Sequence, residues 1–567
     1  MSRKQEAIVL LYSKKSAIIR QAYVYTAYAV KNVDKTRKRA IAQQITMHFC
    51  IASKKVMKSC VRKELAIMNR KITKIIATGM VFSMTAGLAG CGNSGTESKT
   101  ASAKTQGQET SEQIVLHILE NDTAKSEGYL QELLDAFNAE YADKGIQAVD
   151  ANMDEYTDLA VNGPYGYGPD VLYQANDKLM TYAEDKHILP LTIEDFECYE
   201  CVPKEAWDAF KMTLDGKEYY CGVPINIQEP MLFYRTDMLP ADWEEAWDKD
   251  GNKEPDFLEN WNDLYAYSKY LRDTDASANK DGQYGFMASL NNLYLSSQFV
   301  FSYGGYVFGE KEDGTLNAED IGFAAGNTAA GMSALKQMAG LMNEGCIDDT
   351  ITLNRYEKLA DGSYFCAVST PDTYSLFLEK LSLHYEGEGL TKEEAQTKAK
   401  ENLQMVELPA LMPADGDLSK ESESMNDSDW VDTVVMGGVN GYGISSYTKY
   451  REACVTFVNF ATSYEMIKTR ADMLGIAPTR SDVAKECGDT TDMIFNSLSE
   501  GKIYLMPSIK AVDQIWVPTQ TVMGDIAKDA FREKKGEAAK YTSEDDFKTA
   551  METVNRNIYD AIYTLSE

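Results

Sequence analysis

Between Ile114 and Tyr173 the chain alternates between two hydrophobic periods, and this alternation constrains its fold more than any other feature. Ile114 to Leu119 (IVLHIL) is a short apolar run, as in a strand covered on both faces. Leu130, Leu133, Leu134, Phe137 and Tyr141 then recur at helical spacing, with Gly145 placed at a C-terminal cap. Gly168-Pro169 turns the chain into a second buried strand, Asp170 to Tyr173. Strand, helix, strand in that order points to a parallel α/β sheet.

Further helices are legible downstream. Asn260-Trp261-Asn262-Asp263 has the form of a capping box, with Asn260 as cap and Asp263 reaching back. Leu335, Met338, Leu341 and Met342 line one face of a helix expected to end near Gly345, and Val455, Phe457, Val458, Phe460 and Ala461 mark a largely buried one. The charged stretch 389–402 reads as a solvated helix. Residues 437–443 (GGVNGYG) are glycine-rich but lack the Lys-Ser/Thr of a phosphate cradle, and are read as a place where the chain passes between lobes. Asp248 to Gly251 and Asn279 to Gly282 are fragments of a calcium loop without its flanking acids, and are read as turns.

Charge is unevenly spread. The first 90 residues hold 18 Lys and Arg against three Asp and Glu, so the remainder, with 39 against 84, carries −45 within a chain total of −30. So acidic a body does not bind nucleic acid through its general field. Asn69 to Lys74 is basic, Ile75 to Gly90 apolar and small, and Gly92 to Thr110 small and polar: a secretory signal followed by a flexible tether. Met68 is the expected start, with residues 1–67 an upstream extension outside the native protein, 68–90 the signal and 91–112 the tether. The roughly 450 residues beyond exceed what one core supports, so two or more lobes are expected. Seven scattered cysteines follow Cys91, and neither they nor Cys198-x-x-Cys201 alone make a disulfide framework or a metal site.

Several phrases, in order, resemble one family. Leu88-Ala89-Gly90-Cys91 resembles the bacterial lipoprotein box, which implies lipid on Cys91. Gly168-Pro169-Asp170-Val171 with Asn176-Asp177-Lys178, Leu189-Pro190-Leu191, and Gly216 to Pro224 running on to Phe233 to Leu239 resemble extracellular solute-binding lipoproteins of ABC sugar importers, the maltodextrin-binding type in particular. So do Asn260 to Leu264, Tyr303 to Phe308, and Gly501 to Ile509 with Trp516. The resemblance implies an α/β, two-lobed, periplasmic-binding-protein-like (type II) fold with an interlobe cleft and crossing hinge strands. It implies an N-terminal lobe of 113–228 and 439–482 and a C-terminal lobe of 229–438 and 483–567. It also implies a monomer on the outer face of the cell membrane that passes an oligosaccharide such as maltodextrin to permease subunits, without cofactor, metal or catalysis.

The resemblance assigns ligand contacts to Asp177 and Lys178, to Asn292 and Tyr294, and to the late tryptophan, Trp516. A cleft glutamate is expected at Gln228 or, if the strand shifts by one residue, at Glu229. Where the family has a stacking tryptophan this chain has Asp372, with Tyr374 nearby as a substitute. Gln174 and Gln520 replace a tryptophan and an arginine, so the particular sugar is left open. Carboxylates and amides pair with neighbouring hydroxyls, and aromatic faces cover sugar C–H surface. Two other functions compete. An exported glycosidase needs two carboxyls flanking one bond, and no such pair is recognisable. The same fold can also hold a non-sugar organic solute.

Overall fold

Ile114–Leu119 forms the expected strand and runs parallel to two others, Ile146–Asp150 on one side and Val171–Ala175 on the other. Between the first two lies the helix Tyr129–Tyr141, which buries Leu130, Leu133, Leu134 and Phe137 against the sheet. This is the crossover that the alternating periods require. The computed structural model describes residues 113–564 except 156–157, 215, 276–282 and 313–314. Cys91, the signal at 68–90, the tether at 91–112 and the segment 1–67 lie outside the described residues, as does the turn expected at Asn279 to Gly282.

The first sheet has six strands. Val435–Ile444 lies beside Val171–Ala175 and antiparallel to it, and pairs also with Val223–Gln228 and with Ile503–Leu505. All ten residues of Val435–Ile444 are buried. Its glycines admit close neighbours: a Cβ on Gly441 would stand 2.5 Å from the Val223 carbonyl oxygen, and one on Gly443 2.7 Å from Leu179. The start of the strand is held from elsewhere, since the Val434 and Met436 amides donate to Ser302 Oγ (2.9 Å) and Ser297 Oγ (2.7 Å). The glycine-rich run is thus a crossing strand.

The second sheet is ordered Leu403–Val406, Met231–Arg235, Tyr364–Ser369, Tyr284–Met287. Met231–Arg235 is antiparallel to both neighbours, whereas Tyr364–Ser369 and Tyr284–Met287 are parallel. Only Glu229 and Pro230 separate the last strand residue of the first sheet, Gln228, from the first of the second, Met231. One hydrophobic cluster fills the first sheet's faces and extends through Met231 and Phe233 to one face of the second. A separate cluster, built on Trp261, Phe286, Phe299, Met338 and Met551, covers the other face.

The helix caps depart from expectation in detail. Asn260 Oδ1 accepts from the Asp263 amide at 2.9 Å, but Asp263 reaches back to the Asn260 side-chain Nδ2 (2.6 Å) instead of the main chain. The charged helix is Lys392–Asn402, opened by a full capping box of Thr391 and Glu394. The helix expected to reach Gly345 is Thr328–Leu341, and Gly345 belongs to the following 3₁₀ turn Glu344–Cys346. Among the described residues no helix is long and apolar enough to cross a membrane, and no three metal-binding side chains cluster.

Candidate functional site

Three strand ends converge where the sheets meet. Val171–Ala175 runs directly into the helix Asn176–Glu184, which sets Asp177 in its first turn. Val223–Gln228 ends at Gln228, and Tyr364–Ser369 leads into the turn Pro371–Thr373, which carries Asp372. Gln228 Nε2 donates to Asp372 Oδ1 at 2.7 Å, so one hydrogen bond ties the first sheet to the second. The Tyr294 hydroxyl donates to the Gln228 main-chain oxygen at 2.8 Å and adds a second tie. In open α/β sheets such carboxyl ends of strands are where ligands bind.

Burial and neighbouring carboxylates dominate the electrostatics of these residues. Burial pushes the Asp177 carboxyl up to about 6; the main-chain amide of Lys178 opposes the rise and the Asp513 carboxylate adds to it. Thr181 Oγ1 donates to Asp513 at 3.5 Å, which lays the 510–514 turn along the Asp177 helix. Burial also raises the Tyr294 hydroxyl well above its ordinary value, reinforced by the carboxylates of Glu229, Asp372 and Asp177. The Lys178 ammonium lies over the Tyr182 ring, 4.9 Å from the centroid, and its charge also opposes the rise at Asp177.

Of the pair Gln228 and Glu229, it is Gln228 that meets Asp372 of the second sheet. Glu229, the first residue beyond the strand, lines a cavity of about 30 Å³ with Glu407, Thr433, Ser497 and Lys502. It is 3% exposed, its Oε1 has no partner, and its carboxyl is raised well above the usual range by burial and then by Glu407.

The remaining expected residues are placed less directly. Asn292 Oδ1 accepts from the Leu295 amide (3.2 Å), closing the turn that carries Tyr294. Tyr374 opens the helix Tyr374–Gly387 and packs half-buried against the larger hydrophobic cluster. Trp516 opens the helix Trp516–Asp529, half-buried against the other cluster. Gln520 donates to Asp349 Oδ2 at 2.6 Å, a carboxylate that also receives Ser289 and Asn291, so it stands in a polar group apart from Gln228. Gln174 donates to the Glu155 carbonyl oxygen at 2.6 Å.

Asn440 was missed by the sequence reading. Its Nδ2 donates to Gln228 Oε1 at 3.0 Å. The signal existed: Asn440 is the one amide in the otherwise apolar and glycine-rich run VMGGVNGYGI.

Comparison with known proteins accords with this geometry. The sequence pattern of the bacterial extracellular solute-binding proteins matches residues 132–493. The galactooligosaccharide-binding protein of Bacillus subtilis (strain 168) is 24% identical over 445 residues, covering 78% of this chain and 89% of that protein. The maltodextrin-binding protein MdxE of the same organism is 27% identical over 223 residues, covering 39% of this chain and 46% of that protein. Among solved structures, MalX from Streptococcus pneumoniae in complex with maltopentaose superposes with a TM-score of 0.57 at 18% identity, covering 79% of this chain and 100% of that one. The extracellular solute-binding protein from Staphylococcus aureus in complex with maltose gives 0.54 at 16% identity, covering 80% and 99%. The fold is thus the two-lobed α/β fold of maltose-binding proteins, and the chain belongs to the bacterial extracellular solute-binding protein family.

Proposed function

We propose that this protein captures an uncharged oligosaccharide between two lobes and hands it to the permease of an ABC importer. The lobes are residues 113–228 with 439–482, and 229–438 with 483–567. Lipid on Cys91, followed by the tether at 91–112, holds the protein at the outer face of the membrane as a monomer. The observation that carries the proposal is the Gln228–Asp372 hydrogen bond at 2.7 Å, which joins the ends of strands from both sheets beside Tyr294 and Asp177. A ligand that takes over such contacts becomes the link between lobes, and closure follows from its greater affinity for the shut form. The names of the relatives support the class of ligand, one galactooligosaccharide and one maltodextrin. Asp177, Gln228, Tyr294 and Asp372 are the residues assigned to it first, with Lys178, Asn292, Tyr374, Trp516 and Gln520 at the margins.

A thermal-shift panel of maltotriose, maltopentaose and galactotriose tests the proposal, with small-angle scattering on any sugar that raises the melting temperature. A rise in Tm together with a smaller radius of gyration is expected. Release of shorter sugars during incubation would make the protein an exported glycosidase. A shift with spermidine but with no saccharide would move the function to a charged organic solute.

A further inference from the structure

An amide side chain can face a partner with either end, and Gln228 has its two ends in different company. Asp372 offers only acceptors while ionised, so the 2.7 Å contact must be made by Gln228 Nε2. The carbonyl end then points the other way, where it needs a donor. Asn440 supplies one: its Nδ2 reaches Gln228 Oε1 at 3.0 Å.

Close by, the Tyr173 hydroxyl donates to Asn226 Oδ1 at 2.7 Å. Asn440 is 7% exposed, and its main chain is in register with Ala175 and Asn226 in the two flanking strands. Donor and acceptor roles therefore run in one direction from the buried crossing strand to the cleft.

We infer that Asn440 is a positioning residue that, from the end opposite Asp372, helps hold Gln228 with its amide nitrogen toward the second sheet. The cleft then offers one remaining N–H of Gln228 beside the acceptor oxygens of Asp372. That pair suits a ligand carrying an acceptor and a donor on adjacent atoms, as two neighbouring sugar hydroxyls do. This rests on the carbohydrate reading only for the identity of the ligand; the polarity of the network belongs to the protein alone.

The test reverses the polarity at both ends. In Asn440→Asp the new carboxylate can only accept, so Gln228 must turn its nitrogen toward residue 440 and its oxygen toward Asp372, where two acceptors clash. Adding Asp372→Asn restores a donor at the far end. The double variant is expected to regain most of the several-degree loss in Tm that Asn440→Asp alone suffers, although residues 440 and 372 do not touch each other. Asn440→Leu, which removes the donor without adding charge, covers the case in which Asn440→Asp does not fold. It is expected to weaken maltotriose or galactotriose binding about tenfold or more, with no rescue by Asp372→Asn. Failure of Asp372→Asn to rescue Asn440→Asp, or unaltered binding by Asn440→Leu, overturns the inference. Should the wild-type chain bind neither sugar, the proposed function fails, while the ligand-free melting series still decides the role of Asn440.

Discussion

Arg470 grips Glu120 with two prongs, Nη1 to Oε1 at 2.8 Å and Nη2 to Oε2 at 3.2 Å, inside the first hydrophobic cluster. The side chains are 2% and 0% exposed. The guanidinium is held between the Tyr129 and Tyr173 rings, 4.8 and 4.4 Å from their centroids, and Tyr442 donates to the same carboxylate. Breaking such a pair from one side leaves an uncompensated buried charge. Arg470→Met is expected to cost about 3–5 kcal/mol in urea unfolding, and Arg470→Met with Glu120→Leu markedly less. A loss in the double variant equal to the sum of the losses from Arg470→Met and Glu120→Leu alone would mean that the pair is not coupled.

Asp177 gives stability a pH dependence of definite sign. Its carboxyl titrates at about 6 in the folded chain against a usual 3.8, so the folded form holds a proton that the unfolded form has released. That contribution is complete below about pH 4 and is lost as pH rises through about 6. Asp177→Asn should flatten this part of a plot of unfolding free energy against pH. An unchanged slope between pH 4 and 6 would exclude Asp177 as its source.

Glu229 is raised in the same direction, by burial and then by Glu407, so its deprotonation at higher pH also works against the folded state. Gln keeps the shape of the side chain without the charge. Glu229→Gln should therefore raise Tm, and by more at pH 8 than at pH 5. Differential scanning calorimetry at both values decides this, and a larger gain at pH 5 would contradict it.

Gly441 is required by proximity. A Cβ there meets the Val223 carbonyl oxygen at 2.5 Å, a backbone atom that cannot swing aside. Gly441→Ala should destabilise by roughly 1–3 kcal/mol, the usual cost of forcing extra volume into a packed site. Guanidinium titration would show this as an earlier midpoint with little change in slope.

The local periods of the chain were enough for the first crossover: Leu130, Leu133, Leu134 and Phe137 fall on the buried face that their spacing predicts. The choice between Gln228 and Glu229 was not legible. A strand's facing is settled by where it ends, and here that depends on a two-residue link to another sheet. Asp372 is 144 residues from the Gln228 it bonds, and Asn440 is 212 residues from it. No short-range pattern carries such pairings. The contact of Lys178 with the Tyr182 ring likewise depends on a rotamer, which composition does not specify.

The join at Glu229-Pro230 holds no slack. Proline has its φ locked by the ring, so one of the two connecting residues can absorb almost no twist. Any swing of one half against the other must be taken up within a side chain's length of Gln228, in the peptide planes that aim it. On the proposed function, this join and the ligand's seat form one mechanical part, so a substitution that stiffens or loosens the first is expected to retune the second.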